Sequence, residues 1–177
     1  MARSTTKVLL LIAACALLPQ VHAEEYPACN VRESRQLVMA DDTDEYKLSA
    51  TVIGSPCYEA ELTLSIARYD GQELYRYARA FKPHVVEAWS DSELDIAAIA
   101  LAKDSIDLTE IQTCSALFSI DREGWNWSRL LVDAGDYERI KTDQCWIFVH
   151  PIGTEAIRIV AFSKSWKLAI PLRELGF

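Results

Sequence analysis

The stretch CYEAELTLSIARYDGQELYRYARAFK, residues 57–82, decides the fold because apolar and polar side chains alternate on both sides of a turn. Leu62, Leu64 and Ile66 would share one face of the first strand, as alternation with a period of two predicts. Asp70-Gly71 is typical of a tight two-residue turn between antiparallel strands. The stretch therefore predicts a β-hairpin.

The register of this hairpin follows from the two-residue turn and predicts which basic side chains a partner can reach. It gives three cross-strand pairs on the apolar face: Ile66 with Tyr75, Leu64 with Tyr77, and Leu62 with Arg79. Arg76 and Lys82 then lie on the solvent face. Arg79 falls on the apolar face, where its stem would pack while the guanidinium reaches water.

Other segments predict further strands and one helix. Residues 46–53 alternate like a strand, and residues 145–150 are almost wholly apolar. Residues 156–162 and 167–173 also resemble strands, and Pro171 would place the last of these at a sheet edge. The fold class expected is α+β, with a mainly antiparallel sheet built on hairpins.

The helix is predicted at residues 91–104. Ser90 and Glu93 match a capping box, and the alanine-rich sequence LDIAAIALAK that follows has helical spacing. We expect this helix to pack against the sheet.

The first 23 residues have the three parts of a secretory signal peptide. Arg3 and Lys7 give a basic start, residues 8–18 form an uncharged apolar run, and cleavage after Ala23 fits the residues before it. The apolar run is too short to span a bilayer stably as a helix. We expect a periplasmic or secreted protein whose mature chain, residues 24–177, forms one disulfide-containing domain without a transmembrane segment.

An alternative to this cleavage is lipidation. Residues 12–15, Ile-Ala-Ala-Cys, resemble a bacterial lipoprotein box, and a lipid on Cys15 would anchor the chain to a membrane. The apolar run continues past Cys15, where lipoproteins usually become polar, so cleavage after Ala23 is favoured.

Four cysteines follow the signal segment: Cys29, Cys57, Cys114 and Cys145. An even number in an exported chain indicates two disulfides. Of the three possible pairings we favour Cys29–Cys57 with Cys114–Cys145, because each closes a short loop within one half of the chain. The absence of CxxC spacing argues against zinc, and no metal is predicted.

The mature chain is strongly acidic. The signal segment carries two basic residues and no acid, so its removal changes the formal net charge from −8 to −10. Such a chain is a poor nucleic-acid binder, since phosphates need a cationic surface. Its negative charge is compatible with binding to another protein, including a basic one.

No motif for catalysis or cofactor binding is present. The sequence lacks G-x-S-x-G, H-E-x-x-H, P-loop and G-x-G-x-x-G patterns, so no catalytic residue and no cofactor are predicted. The acidic run at residues 41–45 lacks EF-hand spacing and is interpreted as a solvated loop. An alternative is a small extracytoplasmic hydrolase that combines carboxylates with His84 or His150, although a structural role is favoured for both histidines.

The segment DREGWNWSRL, residues 121–130, holds two tryptophans that would point the same way on a strand. Tryptophan often anchors protein interfaces, but it is more often buried. We therefore expect at least one ring, of Trp125 or Trp127, to be buried or half-buried.

The favoured function is an exported, non-enzymatic protein-binding module, such as a periplasmic inhibitor or immunity-type protein. The missing catalytic motifs, the acidity and the predicted disulfides favour it. The alternatives are the hydrolase and a domain that binds the cell envelope or a small ligand. The candidate binding residues are Trp125, Trp127, Arg76, Arg79 and Lys82.

Overall fold

The computed structural model describes residues 28–38, 45–81, 90–153, 155–163 and 168–176. The signal segment 1–23 and the alternative lipidation site at Cys15 lie outside these residues.

The first half of the chain forms a four-stranded antiparallel sheet, the first sheet. Its strands neighbour one another in chain order: β1 (Cys29–Leu37), β2 (Tyr46–Gly54), β3 (Glu61–Arg68) and β4 (Glu73–Ala80). Consecutive strands pair through short connections, which is the pattern that alternating hairpin sequences predict.

The second half forms a five-stranded antiparallel sheet, the second sheet, with spatial order β5-β7-β8-β9-β6. Its strands are β5 (Glu110–Thr113), β6 (Trp127–Leu130), β7 (Trp146–Pro151), β8 (Ala156–Ser163) and β9 (Leu168–Gly176). Three helices accompany the sheets in the described part of the chain: α1 (Asp91–Asp107), α2 (Leu117–Ile120) and α3 (Ala134–Lys141). The α+β fold built on antiparallel hairpins is confirmed, with the strands divided between two sheets.

The β3–β4 hairpin has the predicted register and a different turn. The predicted pairs Ile66–Tyr75, Leu64–Tyr77 and Leu62–Arg79 are all present. The prediction of a two-residue turn is wrong, because residues 69–71 form a three-residue loop. In this loop Gly71 donates its N–H to the Arg68 carbonyl and has φ +88°. A left-handed residue at the third loop position is typical of a type I turn extended by one residue, and an irregularity after Ile66 absorbs the extra residue.

Helix α1 begins at the predicted capping box and ends later than predicted. The Ser90 N–H donates to the Glu93 carboxylate at 2.6 Å. One stripe of the helix is buried: Leu94, Ala98, Ala102 and Ile106. The helix reaches Asp107 rather than residue 104 because Ile106 continues this buried stripe for one more turn.

The second sheet is the middle layer of the fold, since side chains from both of its faces are buried. On one face Phe148, Val160 and Phe162 join the core that the first sheet and α1 share. The Phe162 ring meets the Tyr46 ring of β2 edge-on, with 5.4 Å between centroids. On the other face Ile147 packs in a second core with α2 and α3.

Strand β9 is not the edge strand that Pro171 predicts. It lies between β8 and β6. The prediction is wrong because the pairing of β8 with β9 shifts register between Ile159 and Val160, and Pro171 pairs with Val160 at that shift. A proline without an N–H is accommodated where a ladder is interrupted.

The two predicted disulfides are present. Cys29 bonds to Cys57 and Cys114 bonds to Cys145, with Cα atoms 4.7 and 5.3 Å apart. All four cysteines are buried. The first bond links β1 to the turn after β2, and the second links the segment after β5 to the start of β7. Two disulfides fit an oxidising, non-cytoplasmic compartment.

Candidate functional site

Strand β6 is an exposed edge of the second sheet, and it marks the candidate site. Its four residues, Trp127 to Leu130, are all exposed. Two of them are large and apolar, with Trp127 44% and Leu130 40% exposed. Alternation along a strand puts these two side chains on opposite faces. Each face of β6 therefore presents one exposed apolar side chain.

The backbone of β6 has hydrogen-bonding groups directed outward. Leu131, just after β6, donates its N–H to the Leu172 carbonyl at 2.8 Å. Because bonding direction alternates along an antiparallel ladder, the N–H groups of Ser128 and Leu130 point away from β9. An edge with outward N–H and C=O groups is a template for pairing with another extended segment.

The indole of Trp127 lies against Gly176, the last residue of β9. A side chain added at Gly176, the residue paired with Trp127, would collide with the indole ring. Glycine at position 176 is what lets this ring cover the backbone of β9. The packing sets the ring orientation on one face of β6.

A network of charged groups lies beside the other face of β6. We call it the Asp121 cluster, and its members are Asp121, Ser128, Tyr137, Lys141 and Arg173. Arg173 pairs with one carboxylate oxygen of Asp121, and Lys141 Nζ lies 2.8 Å from the other. The Tyr137 hydroxyl donates to Asp121 at 2.8 Å, and Arg173 Nε donates to the Ser128 hydroxyl at 2.7 Å. One carboxylate thus holds two cations and a phenol in fixed positions.

Helix α3 supplies two members of the cluster for a simple geometric reason. Tyr137 and Lys141 are four residues apart, so they lie on one helix face. Asp133 caps the N-terminus of the helix, and its side chain accepts the Asp136 N–H at 2.8 Å. Lys141 Nζ also lies 4.9 Å from the centre of the Phe118 ring on α2. The cluster therefore joins α2, α3, β6 and β9.

The charges of the cluster are stabilised across the neutral pH range. Burial on its own would raise the pKa of Asp121, but hydrogen bonds from Lys141 and Tyr137 and the nearby cations outweigh it and lower that pKa. The hydrogen bond to Asp121 is the main cause that raises the pKa of Lys141. Asp121 stays ionised and Lys141 stays protonated, so the cluster is preorganised.

A shallow depression of about 440 Å³ opens where β6 meets the cluster. Its lining combines apolar, charged and hydroxyl groups: Asp121, Ser128, Leu130, Tyr137, Glu138 and Arg173. The side chain of Glu138 is 66% exposed and lies 3.0 Å from Lys141 Nζ. The depression thus borders the outward edge of β6 and offers a carboxylate at its rim.

A second polar network lies inside the fold and is enclosed by the two sheets. His150 is 1% exposed, and its Nε2 lies 2.8 Å from the Tyr75 hydroxyl. Arg158 on β8 bonds Glu174 on β9 at 2.5 Å and lies 4.8 Å from the centre of the Tyr77 ring. Burial lowers the pKa of His150 to about 4. His150 Nδ1 lies 3.1 Å from the Pro151 carbonyl oxygen, so both ring nitrogens of this buried residue have partners inside the protein.

The two predicted tryptophan sites differ in position. Trp125 precedes β6 and is half-buried, with its Nε1–H donating to the Ile120 carbonyl at 2.9 Å. Trp127 is the first residue of β6 and is exposed. One ring is half-buried, as the burial preference predicts, but the two rings do not share a strand.

Of the predicted basic residues, the two that the structure describes, Arg76 and Arg79, do not share a surface. Arg76 is exposed and lies 3.8 Å from Glu73, while Arg79 lies on the opposite face of β4. Arg79 donates to the Ile152 carbonyl at 3.3 Å, so its guanidinium contacts the second sheet. Lys82, His84 and residues 41–44 of the acidic run lie outside the described residues.

No metal site is evident among the described residues. The one group with suitable proximity there is Cys29, Cys57 and Asp95. Both sulfurs are bonded to each other, so they are not available as thiolate ligands.

The sequence patterns did not predict the Asp121 cluster, although one residue indicates it. Arg173 interrupts the apolar pattern of the last strand. A charged residue in an otherwise apolar strand indicates a paired or functional position. Its partners, Asp121 and Tyr137, are distant in sequence, and only the packing of α3 on the sheet shows that they meet it.

Comparison with known proteins gives no relative. No family model, no curated protein and no solved structure matches the chain. In the described part of the chain, no helix is long and apolar enough to cross a membrane.

Proposed function

We propose that this chain is an exported protein-binding module that receives an extended segment of its partner along the edge of β6. The observation that carries the proposal is the exposed edge strand with outward N–H groups at Ser128 and Leu130. Addition of a strand to such an edge is a common mode of peptide recognition, in which main-chain hydrogen bonds give affinity.

The side chains around β6 suit this mode. Trp127 and Leu130 flank an added strand from its two faces. Alternate side chains of the partner would enter the depression beside Leu130 and contact the Asp121 cluster. Because Arg173, Tyr137 and Lys141 already hold Asp121, little ordering entropy is lost when a partner binds.

The charge of the chain favours a basic partner. The mature chain carries a formal net charge of −10, and the exposed Glu138 carboxylate stands at the rim of the depression. Opposite charges accelerate association and exclude wrong partners. A lysine or arginine of the added strand placed near Glu138 would set its register.

The predicted export signal supports an interaction outside the cytoplasm, and the two disulfides fit the oxidising compartment that this requires. An inhibitor or immunity-type protein in the periplasm acts by holding a partner protein and needs no chemistry of its own. This agrees with the lack of catalytic motifs in the sequence and with the engaged nitrogens of His150.

The decisive experiment compares two changes at the β6 edge with one control change elsewhere. Leu130→Ala removes a side chain and keeps the N–H, Leu130→Pro removes both, and Tyr69→Ala removes an exposed aromatic ring from the β3–β4 loop. The immobilised mature proteins are incubated with the extracytoplasmic fraction of the source organism, and bound proteins are identified by mass spectrometry. Circular dichroism confirms that each variant is folded.

The proposal expects one protein to be retained by the wild type and by Tyr69→Ala, less by Leu130→Ala, and not by Leu130→Pro. Trp127→Ala should weaken its capture about tenfold, since interface tryptophans carry a large share of binding energy. Equal retention by the wild type and Leu130→Pro would contradict binding at this edge. Retention of nothing by the wild type would contradict the binding function itself.

A further inference from the structure

A second and larger depression is lined by Lys141 and by no residue of β6. Its volume is about 770 Å³, within the range of small-ligand sites. Its lining comes from the end of β5 and the segment after it, from α2, and from the end of α3 through to the first residue of β7: Thr113, Ser115, Phe118, Lys141, Thr142, Asp143, Gln144, Cys145 and Trp146. The Cys114–Cys145 disulfide ties two of these segments together, so the walls are held in place.

The polar lining is mostly neutral and can both donate and accept hydrogen bonds. Thr113 and Ser115 share one hydrogen bond at 2.7 Å, and the Thr142 hydroxyl donates to the Arg139 carbonyl at 2.9 Å. Each hydroxyl keeps free lone pairs. The side-chain amide of Gln144 makes no hydrogen bond to another described residue, so it can offer two donors and one acceptor.

Phe118 gives the depression an exposed apolar surface. It is 44% exposed, although most phenylalanine side chains are buried. Trp146 also borders the depression, but its side chain packs against the core that the first sheet and α1 share. An aromatic ring next to hydroxyl and amide groups suits a ligand with both apolar C–H and polar O–H surfaces.

The charged groups argue for a neutral ligand. Lys141 lines the depression, but its ammonium lies 2.8 Å from Asp121 and 3.0 Å from Glu138. Its charge is therefore already neutralised. Asp143 adds a carboxylate that accepts the Gln144 backbone N–H at 2.8 Å, so an anionic ligand would be repelled there.

We propose that this depression binds a neutral saccharide. The sugar ring stacks its C–H face on Phe118, and its hydroxyls exchange hydrogen bonds with Gln144 and the threonine and serine hydroxyls. The inference does not depend on the β6 proposal, because none of the residues it uses belongs to that strand.

Saturation-transfer NMR on the mature protein tests the proposal with three neutral trisaccharides, namely chitotriose, cellotriose and maltotriose. Trigalacturonic acid serves as the anionic comparison. Phe118→Ala and Gln144→Ala change the depression, and Tyr69→Ala is the control at an exposed aromatic ring elsewhere. Thermal unfolding curves verify that the variants are folded.

We expect at least one neutral trisaccharide to bind at millimolar concentration or better and trigalacturonic acid to bind more weakly. Phe118→Ala should raise the dissociation constant about tenfold, and Tyr69→Ala should leave it unchanged. The proposal is overturned if no neutral trisaccharide binds, if binding survives both Phe118→Ala and Gln144→Ala, or if the anionic trisaccharide binds most tightly.

Discussion

The hydroxyl of Tyr75 on β4 and the ring of His150 on β7 hydrogen-bond between the two sheets, with 2.8 Å between Oη and Nε2. His150 Nδ1 lies 3.1 Å from the carbonyl oxygen of Pro151, which can only accept. The ring proton therefore belongs on Nδ1, and Nε2 accepts from Tyr75. A second proton on Nε2 would reverse the direction of this hydrogen bond and put a positive charge between the two sheets, where burial lowers the pKa of the ring.

The stability of the protein should fall in mild acid because of His150. Burial lowers the pKa of this ring to about 4, while an unfolded histidine titrates near 6.5. Below about pH 6.5 His150 binds a proton in the unfolded chain but stays neutral in the folded chain, so the free energy of unfolding decreases as the pH falls. This decrease ends near pH 4, where the folded chain also binds the proton. The loss from this group is about 3 kcal/mol.

Urea unfolding of the wild type and of His150→Gln at several pH values between neutrality and about 4 measures this effect. The variant should be less stable at neutral pH and should lose less stability on acidification. Tyr75→Phe keeps the titrating ring and should keep most of the pH dependence. Identical slopes for the wild type and His150→Gln would contradict the assignment.

Asp121→Asn should destabilise the protein by about 2–4 kcal/mol, because it leaves Lys141 and Arg173 without their shared carboxylate in a partly buried site. Asp136→Asn on α3 is the matched control, since its partner Arg139 is largely exposed and the pair is worth less than about 1 kcal/mol. Urea unfolding at neutral pH compares the two. Equal losses would mean that the cluster is no stronger than a surface pair.

Gly176→Ala should release Trp127 from β9. The added methyl group has no space beside the indole, so either the ring or the end of β9 must move. We expect a loss of about 1–3 kcal/mol and a longer-wavelength tryptophan emission. Gly124→Ala is the control, because nothing lies within 4 Å of the methyl group there. An unchanged emission spectrum for Gly176→Ala would show that Trp127 is not packed against β9.

Each disulfide should contribute about 3–4 kcal/mol, since the bonded cysteines are 28 and 31 residues apart. The double variants Cys29→Ala/Cys57→Ala and Cys114→Ala/Cys145→Ala should therefore have similar losses in urea unfolding. Mass measurement after alkylation without reductant should find no modified cysteine in the mature protein. Four alkylated thiols would rule out both bonds.

The sequence predicted those parts of the fold that depend on local alternation. The pairing of Ile66 with Tyr75 follows from two apolar faces that must coincide across one turn. The type of turn was not predictable from Asp70-Gly71, because this dipeptide suits both a two-residue loop and the last positions of a three-residue loop. The end of α1 was also missed, since Ile106 belongs to the helix only through its packing.

The candidate site was less predictable for a physical reason. Strand β6 has four residues and owes its structure to β9, which lies about 45 residues later in the chain. The Asp121 cluster is assembled from a turn, a helix and a strand, and no spacing in the sequence encodes their approach. Trp127 was the exception, because a tryptophan among polar neighbours is conspicuous in any sequence.

The connectivity of the two disulfides has a consequence for biogenesis. Of the four bonded cysteines, the first bonds to the second and the third bonds to the fourth. In a chain that emerges N-terminus first, Cys29 meets Cys57 before Cys114 and Cys145 have appeared. Among these four cysteines, oxidation in order of appearance would therefore yield the native pairing without reshuffling.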